Sequence, residues 1–103
     1  MLNYKVQNNS VVASLEGTRR INRVISGMVK EEIIAFLEAK DKQVILDLKG
    51  ISFIDSSGFE ALKAIAELAR ANDRIFELAN VSDDVMELVY LVKMDQTFTI
   101  CKN

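Results

Sequence analysis

The strongest constraint on the fold lies mid-chain, where the hydrophobic period changes from strand-like to helical. Gln43 to Leu48 is an apolar run of strand length, of the kind that is buried on both faces in a parallel sheet. After a short connection, Phe59, Leu62, Ile65, Ala66 and Ala69 recur at helical spacing over about Ser57 to Ala71. Glu60, Lys63, Glu67 and Arg70 fall on the opposite side, with unlike charges three and four residues apart. Asn72-Asp73 ends this helix, and Ile75 to Leu78 reads as the next strand. A strand, an amphipathic helix and a second strand in that order imply a right-handed crossover between parallel neighbours.

The same alternation extends outward. Tyr4 to Gln7 and Val11 to Leu15 read as two short strands, and Asn8-Asn9-Ser10 between them suits a tight hairpin because Asn tolerates positive φ. Gly17-Thr18-Arg19-Arg20 then breaks the pattern. A helix is expected from about Asn22 to Ala39, with Ile21, Val24, Ile25, Met28, Ile33, Phe36 and Leu37 as its apolar positions. Lys40-Asp41-Lys42 is read as a polar turn. Ser82-Asp83-Asp84 supplies a cap and an acidic first turn for a helix carrying Val85, Leu88, Val89 and Val92, and Thr97 to Ile100 is read as a final strand. The order β-β-α-β-α-β-α-β makes an α/β protein with a mixed, mostly parallel sheet, an N-terminal hairpin and packed helices. At 103 residues it is expected to be one domain, 1–103.

Composition removes whole classes of chemistry. The chain has no histidine, so neither a Ser-His-Asp triad nor a zinc site of the usual His/Cys kind can be built. It contains no Gly-rich phosphate loop of the Walker type and no cofactor motif. No catalytic residue, cofactor or metal is therefore assigned. The formal charge of −2 with no basic stripe argues against nucleic acid; the densest basic cluster is only Arg19, Arg20 and Arg23. No apolar run approaches the roughly 20 residues needed to span a bilayer. The opening residues Met1 to Lys5 do not resemble a secretory signal, so a cytoplasmic location is the expectation. Cys101 is the only cysteine, which leaves no internal disulfide, and it reads as core or edge packing.

Between the mid-chain strand and its helix lies Asp55-Ser56-Ser57-Gly58. A hydroxyl pair there sits at the positive end of a helix, where a phosphate would meet free backbone N–H groups. The plain structural reading is a helix start: Ser57 with Glu60 fits a capping box, Asp55 or Ser56 could cap equally well, and Gly58 lets the backbone turn tightly.

Residues 44–62, from Val44-Ile45-Leu46-Asp47-Leu48 through Asp55-Ser56-Ser57-Gly58 to Leu62, resemble the STAS domain family, and most of all the single-domain anti-sigma-factor antagonists. Phe76 to Ser82 resembles the family's next strand and polar step, and Val85 to Val92 its third helix. The resemblance implies the STAS fold and a non-enzymatic regulator that works by reversible serine phosphorylation and partner switching. It implies that Ser56 is the phosphorylation site, that Asp55 and Ser57 shape the loop, and that Gly58 lets a partner approach closely. Glu60 and Lys63, on the outward face of the helix, are candidate partner contacts, whereas Phe59 is expected in the core. The implied partners are a GHKL-type serine kinase that doubles as anti-sigma factor or equivalent effector, and a PP2C-type phosphatase; the free protein is expected to be a monomer. Many family members carry Gly-Glu-Leu-Asp where this chain has Gly17-Thr18-Arg19-Arg20. Arg19 and Arg20 are therefore either drift on a solvated loop, a changed partner surface, or arginines placed to meet a phosphate. A different function, a stand-alone accessory subunit of a lipid or anion transport assembly, is the alternative.

Overall fold

A computed structural model describes residues 2–39 and 43–101. The elements run β1 (Leu2–Gln7), β2 (Ser10–Leu15), β3 (Arg20–Ile21), α1 (Arg23–Glu38), β4 (Gln43–Asp47), β5 (Phe53–Ile54), α2 (Ser56–Ala71), β6 (Ile75–Ala79), α3 (Asp83–Leu91) and β7 (Thr99–Ile100). Five strands form one sheet in the order β1-β2-β4-β6-β7, antiparallel only between β1 and β2. The hairpin turns at Asn8, which takes a φ of 52°, a conformation that costs Asn less than most residues. The expected turn at Lys40-Asp41-Lys42 lies outside the described residues.

Each of the three parallel crossovers steps to the next strand in the same direction. Crossovers of one hand that all step the same way deposit their helices on the same face of the sheet. Burial follows: Val11, Ala13, Leu15, Val44, Leu46, Phe76 and Leu78 are buried, whereas Val12, Ser14, Ile45, Asp47, Glu77 and Ala79 are half-exposed and Ile75 is exposed. The expectation that Gln43 to Leu48 is buried on both faces is corrected accordingly. Gln43, Ile45 and Asp47 face the uncovered side, where the Gln43 amide donates to the Glu77 carboxylate.

In α1 the buried positions are Ser26, Val29, Ile33 and Leu37. Val24, expected on the apolar face, is 86% exposed, and Ile21 is buried in β3, outside the helix. Asn22 caps the helix by accepting the Val24 N–H at 3.0 Å. Helix α2 buries Phe59, Leu62, Ile65, Ala66 and Ala69 as expected. It closes with Asp73 in the left-handed region (φ 58°), which lets Arg74 N–H reach the Ala69 carbonyl at 2.7 Å and Asp73 N–H the Arg70 carbonyl at 3.3 Å. Tyr4 ties β1 to α1: its ring lies 4.5 Å from that of Phe36, and its hydroxyl donates to the Glu32 carboxylate.

Two elements were not expected. β3 and β5 pair in parallel as a separate two-stranded ladder, Arg20 with Phe53 and Ile21 with Ile54. Ile21 and Ile54 are buried between this ladder and the helices, while Arg20 and Phe53 face outward.

Candidate functional site

The connection from β4 to α2 carries the Asp55-Ser56-Ser57-Gly58 motif and is held from several sides. At its start, Asp47 Oδ1 accepts from Lys49 N–H at 2.9 Å and from the Asn80 side-chain amide at 2.8 Å. Gly50 turns the chain with a φ of 85°, where a β-carbon would be strained. In its middle, Ser52 N–H donates to the Arg19 carbonyl at 2.7 Å, and the Ser82 hydroxyl, which caps α3, donates to the Ile51 carbonyl at 3.3 Å. The side chains of Ile51 and Ile54 are buried. Phe53 between them is 44% exposed.

At its end the motif is fixed by Asp55, the N-cap of α2. One carboxylate oxygen accepts from Gly58 N–H at 2.8 Å and the other from Arg23 N–H, at the start of α1, at 3.2 Å. A single carboxylate thus serves the first turns of two helices, each of which has unpaired N–H donors and a partial positive charge there. Asp55 N–H in turn donates to the Ile21 carbonyl at 3.0 Å. Among the possible caps the structure selects Asp55, so the Ser57–Glu60 capping box is not formed, and Ser56 is the first helical residue.

Gly58 is buried, and its φ is not in the left-handed region. A β-carbon there would stand 2.7 Å from the Ile21 carbonyl oxygen and 2.7 Å from Ile54 Cγ2. The close approach that glycine permits here is made by this chain's own β3 and β5, which corrects the expected tight turn.

Ser56 is exposed and Ser57 half-buried. Glu60 and Lys63 point outward, one and two turns further along α2, and Phe59 is buried, its ring 6.5 Å from that of Phe98. Arg19 and Arg20 are exposed, Arg20 in β3 beside Phe53 and Arg19 just before the strand, where its carbonyl accepts from Ser52 N–H. A shallow cleft of about 280 Å³ runs between α1 and α2, lined by Arg23, Ser26, Lys30, Ser57 and Glu60 among others. Arg23, which the sequence shows only as part of a small basic cluster, lines this cleft, and the exposed Phe53 lies in β5 just before the motif; sequence patterning assigned neither a place at the site. Arg23 sits beside Asp55 only because β3 pairs with β5, a contact 32 residues apart in the chain.

Chemically the surface offers an exposed hydroxyl, that of Ser56, directly after the Asp55 carboxylate. A serine nucleophile needs a base within hydrogen-bond reach. The carboxylate beside Ser56, that of Asp55, has both oxygens engaged by backbone N–H groups. Among the described residues, no helix is long and apolar enough to cross a membrane.

Several solved structures share this architecture. An anti-sigma-factor antagonist (STAS) domain protein from Planctomyces limnophilus superposes with a TM-score of 0.84 at 18% identity, covering 99% of this chain and 89% of that one. The anti-sigma factor antagonist SpoIIAA, a Bacillus cell fate determinant, matches in its unphosphorylated form with a TM-score of 0.78 at 16% identity, covering 100% and 90%. In its phosphorylated form it matches at 0.72 and 16%, covering 100% and 93%. The murine anion transporter Slc26a9 contains a similar portion: TM-score 0.73, 18% identity, 93% of this chain but 16% of the transporter. The family model for the STAS domain matches residues 2–103, and the chain belongs to that family.

Proposed function

We propose that this protein is a non-enzymatic regulator that switches partners according to the phosphorylation of Ser56. The observation that carries the reading is the position of Ser56: an exposed hydroxyl on the first residue of α2, directly after a carboxylate that fixes the loop from within. The unmodified surface, with Ser56, Glu60, Lys63 and the exposed Phe53, docks a GHKL-type serine kinase acting as anti-sigma factor or equivalent effector. Phosphorylation adds about −1.5 to −2 charges at one point on that surface. A dianion brought into a dry contact must be paired or must break the contact, and a loss of about 3 kcal/mol weakens binding more than a hundredfold. A PP2C-type phosphatase restores the binding form. Asp55 and Gly58 act through the loop they hold in place, Ser57 lines the adjoining cleft, and Arg19 and Arg20 tune the partner surface where relatives carry acidic residues. The setting is cytoplasmic, and the output is a sigma factor or another pathway under the same control.

The test is phosphorylation by the cognate kinase followed by site mapping by mass spectrometry, with calorimetry of Ser56→Ala and Ser56→Asp against the kinase. The expected results are phosphate on Ser56, binding retained by the alanine variant and weakened by the aspartate variant. Phosphate on Ser57 or on neither serine overturns the assignment.

A second reading is a stand-alone accessory subunit of a transport assembly. It is favoured by the similarity to a portion of an anion transporter. Co-purification with a membrane transporter, together with an unmodified Ser56 in cells, would favour it.

A further inference from the structure

The parallel pairing of β3 with β5 determines which arginine stands level with Ser56. Arg20 is paired with Phe53 and Ile21 with Ile54. Beyond the ladder, Asp55 N–H donates to the Ile21 carbonyl, and Arg23 N–H donates to Asp55 Oδ2 at 3.2 Å. Strand residues advance about 3.3 Å each, so Arg20 lies roughly 10 Å short of Ser56 along the strand direction, and Arg19 lies further back. Arg23 is anchored by its backbone to the residue immediately before Ser56, and it is one of the residues that line the cleft with Ser57 and Glu60. It is exposed, and among the described residues it makes no ion pair.

From this register we infer that Arg23, and neither Arg19 nor Arg20, is the residue of this chain that receives a phosphoryl group on Ser56. The inference rests on the proposed modification of Ser56. The N–H groups of Gly58 and Arg23 are already taken by Asp55; the first N–H groups of α2 stay open to an anion, and the Arg23 guanidinium is the cationic side chain that the register brings level with Ser56. Its planar fork matches two phosphate oxygens at once. The charges around the group are mixed. Asp55 and Glu60 repel a dianion, and Lys30 sits about 10 Å along α1 from Arg23, too far to share the same contact. One guanidinium against two carboxylates makes a modest clamp. It draws the modified loop toward α1 and removes Arg23 from the surface offered to a partner.

The test needs no kinase. Protein carrying phosphoserine at position 56, introduced by genetic encoding, is titrated by ³¹P NMR, which reads the second ionisation of the phosphate, near pH 6 in the absence of a partner. Arg23→Gln is expected to raise that midpoint by roughly half a unit, Arg23→Lys by less, and Arg19→Gln and Arg20→Gln to leave it in place. The substitution spares the Arg23 backbone bond, and an unchanged amide fingerprint establishes that each variant is folded. An equal midpoint in wild type and Arg23→Gln, or a larger shift in Arg19→Gln or Arg20→Gln, overturns the inference. A kinase that binds the phosphorylated and unmodified proteins equally overturns the switch while leaving this result standing.

Discussion

The Arg23 N–H and the Asp55 carboxylate meet at 3.2 Å, across 32 residues of sequence, while the other oxygen of the same carboxylate holds Gly58 N–H at 2.8 Å. One side chain therefore binds a first-turn N–H of each of two helices, capping α2 and supplementing the Asn22 cap of α1. Loss of a single cap costs about 0.5–2 kcal/mol, so Asp55→Ala is expected to lose about 1–3 kcal/mol, a fall in Tm of roughly 4–20 °C. Asp55→Asn keeps one acceptor and turns an NH₂ group on the other donor; it should fall between. Urea denaturation of the three proteins checks this, and equal stability of Asn and wild type would show that the second oxygen contributes nothing.

Gly58 gives a test in which two effects have opposite signs. Helix propensity alone favours Gly→Ala by about 1 kcal/mol in a helix interior. The new methyl would stand 2.7 Å from the Ile21 carbonyl oxygen, and backbone cannot yield as a flexible side-chain end can. Overpacking of this kind costs typically about 1–3 kcal/mol, so Gly58→Ala is expected to destabilise. Thermal unfolding decides the sign.

The Ser56 side chain does not cap the helix, because Asp55 does. Ser56→Ala is accordingly expected to change stability by less than about 0.5 kcal/mol, as surface substitutions usually do. Chemical denaturation measures this independently of any partner. A loss near 1 kcal/mol would mean that the hydroxyl has a capping role after all.

Glu60→Lys and Lys63→Glu alter exposed positions of α2. Both should leave Tm nearly unchanged and weaken kinase binding by calorimetry, chiefly through a slower and more salt-dependent association. Parallel losses of stability and binding would place these side chains in the fold instead.

Tyr4 supplies the pH dependence. Burial, and then the hydrogen bond to and the charge of Glu32, hold its phenol well above the ordinary tyrosine range. A group whose folded pKa is raised contributes stability that is complete below its unfolded pKa, near 10, and is lost as pH rises beyond it. Wild type should therefore lose stability above about pH 10 more steeply than Tyr4→Phe. Denaturation midpoints compared at pH 8 and above pH 10 check the sign.

Much of this molecule is legible from residue pattern. The hairpin, the three helices and the central strands all stand on local periodicity, and Phe59 shows its buried side through Leu62 and Ala66 on the same stripe. The failures share a cause. β3 and β5 are two residues long, too short to carry a period, and exist because each supplies the other's hydrogen bonds. Val24 matches the apolar spacing of α1 but falls in its first turn, clear of the helix and sheet packing. The one-sided sheet depends on the direction of successive crossovers, which residue types do not encode. At the site, the motif marks the loop, but the cap could not be chosen among Asp55, Ser56 and Ser57 without the position of Arg23.

The spatial order of the main sheet, β1-β2-β4-β6-β7, is also the order in which those strands leave the ribosome. No strand of this sheet must be threaded between two that are already paired. Each new strand adds to an edge formed by the one before it, and the helix made in between is at hand to cover the joint. Synthesis proceeds at about 5–20 residues per second, slower than hairpin or helix formation, so a growing chain has time to settle each addition. The exception is the β3–β5 ladder. β3 is made early and waits, unpaired, until β5 arrives, only two residues before Ser56. The surface around that serine is thus completed only when the chain that bears it has been made.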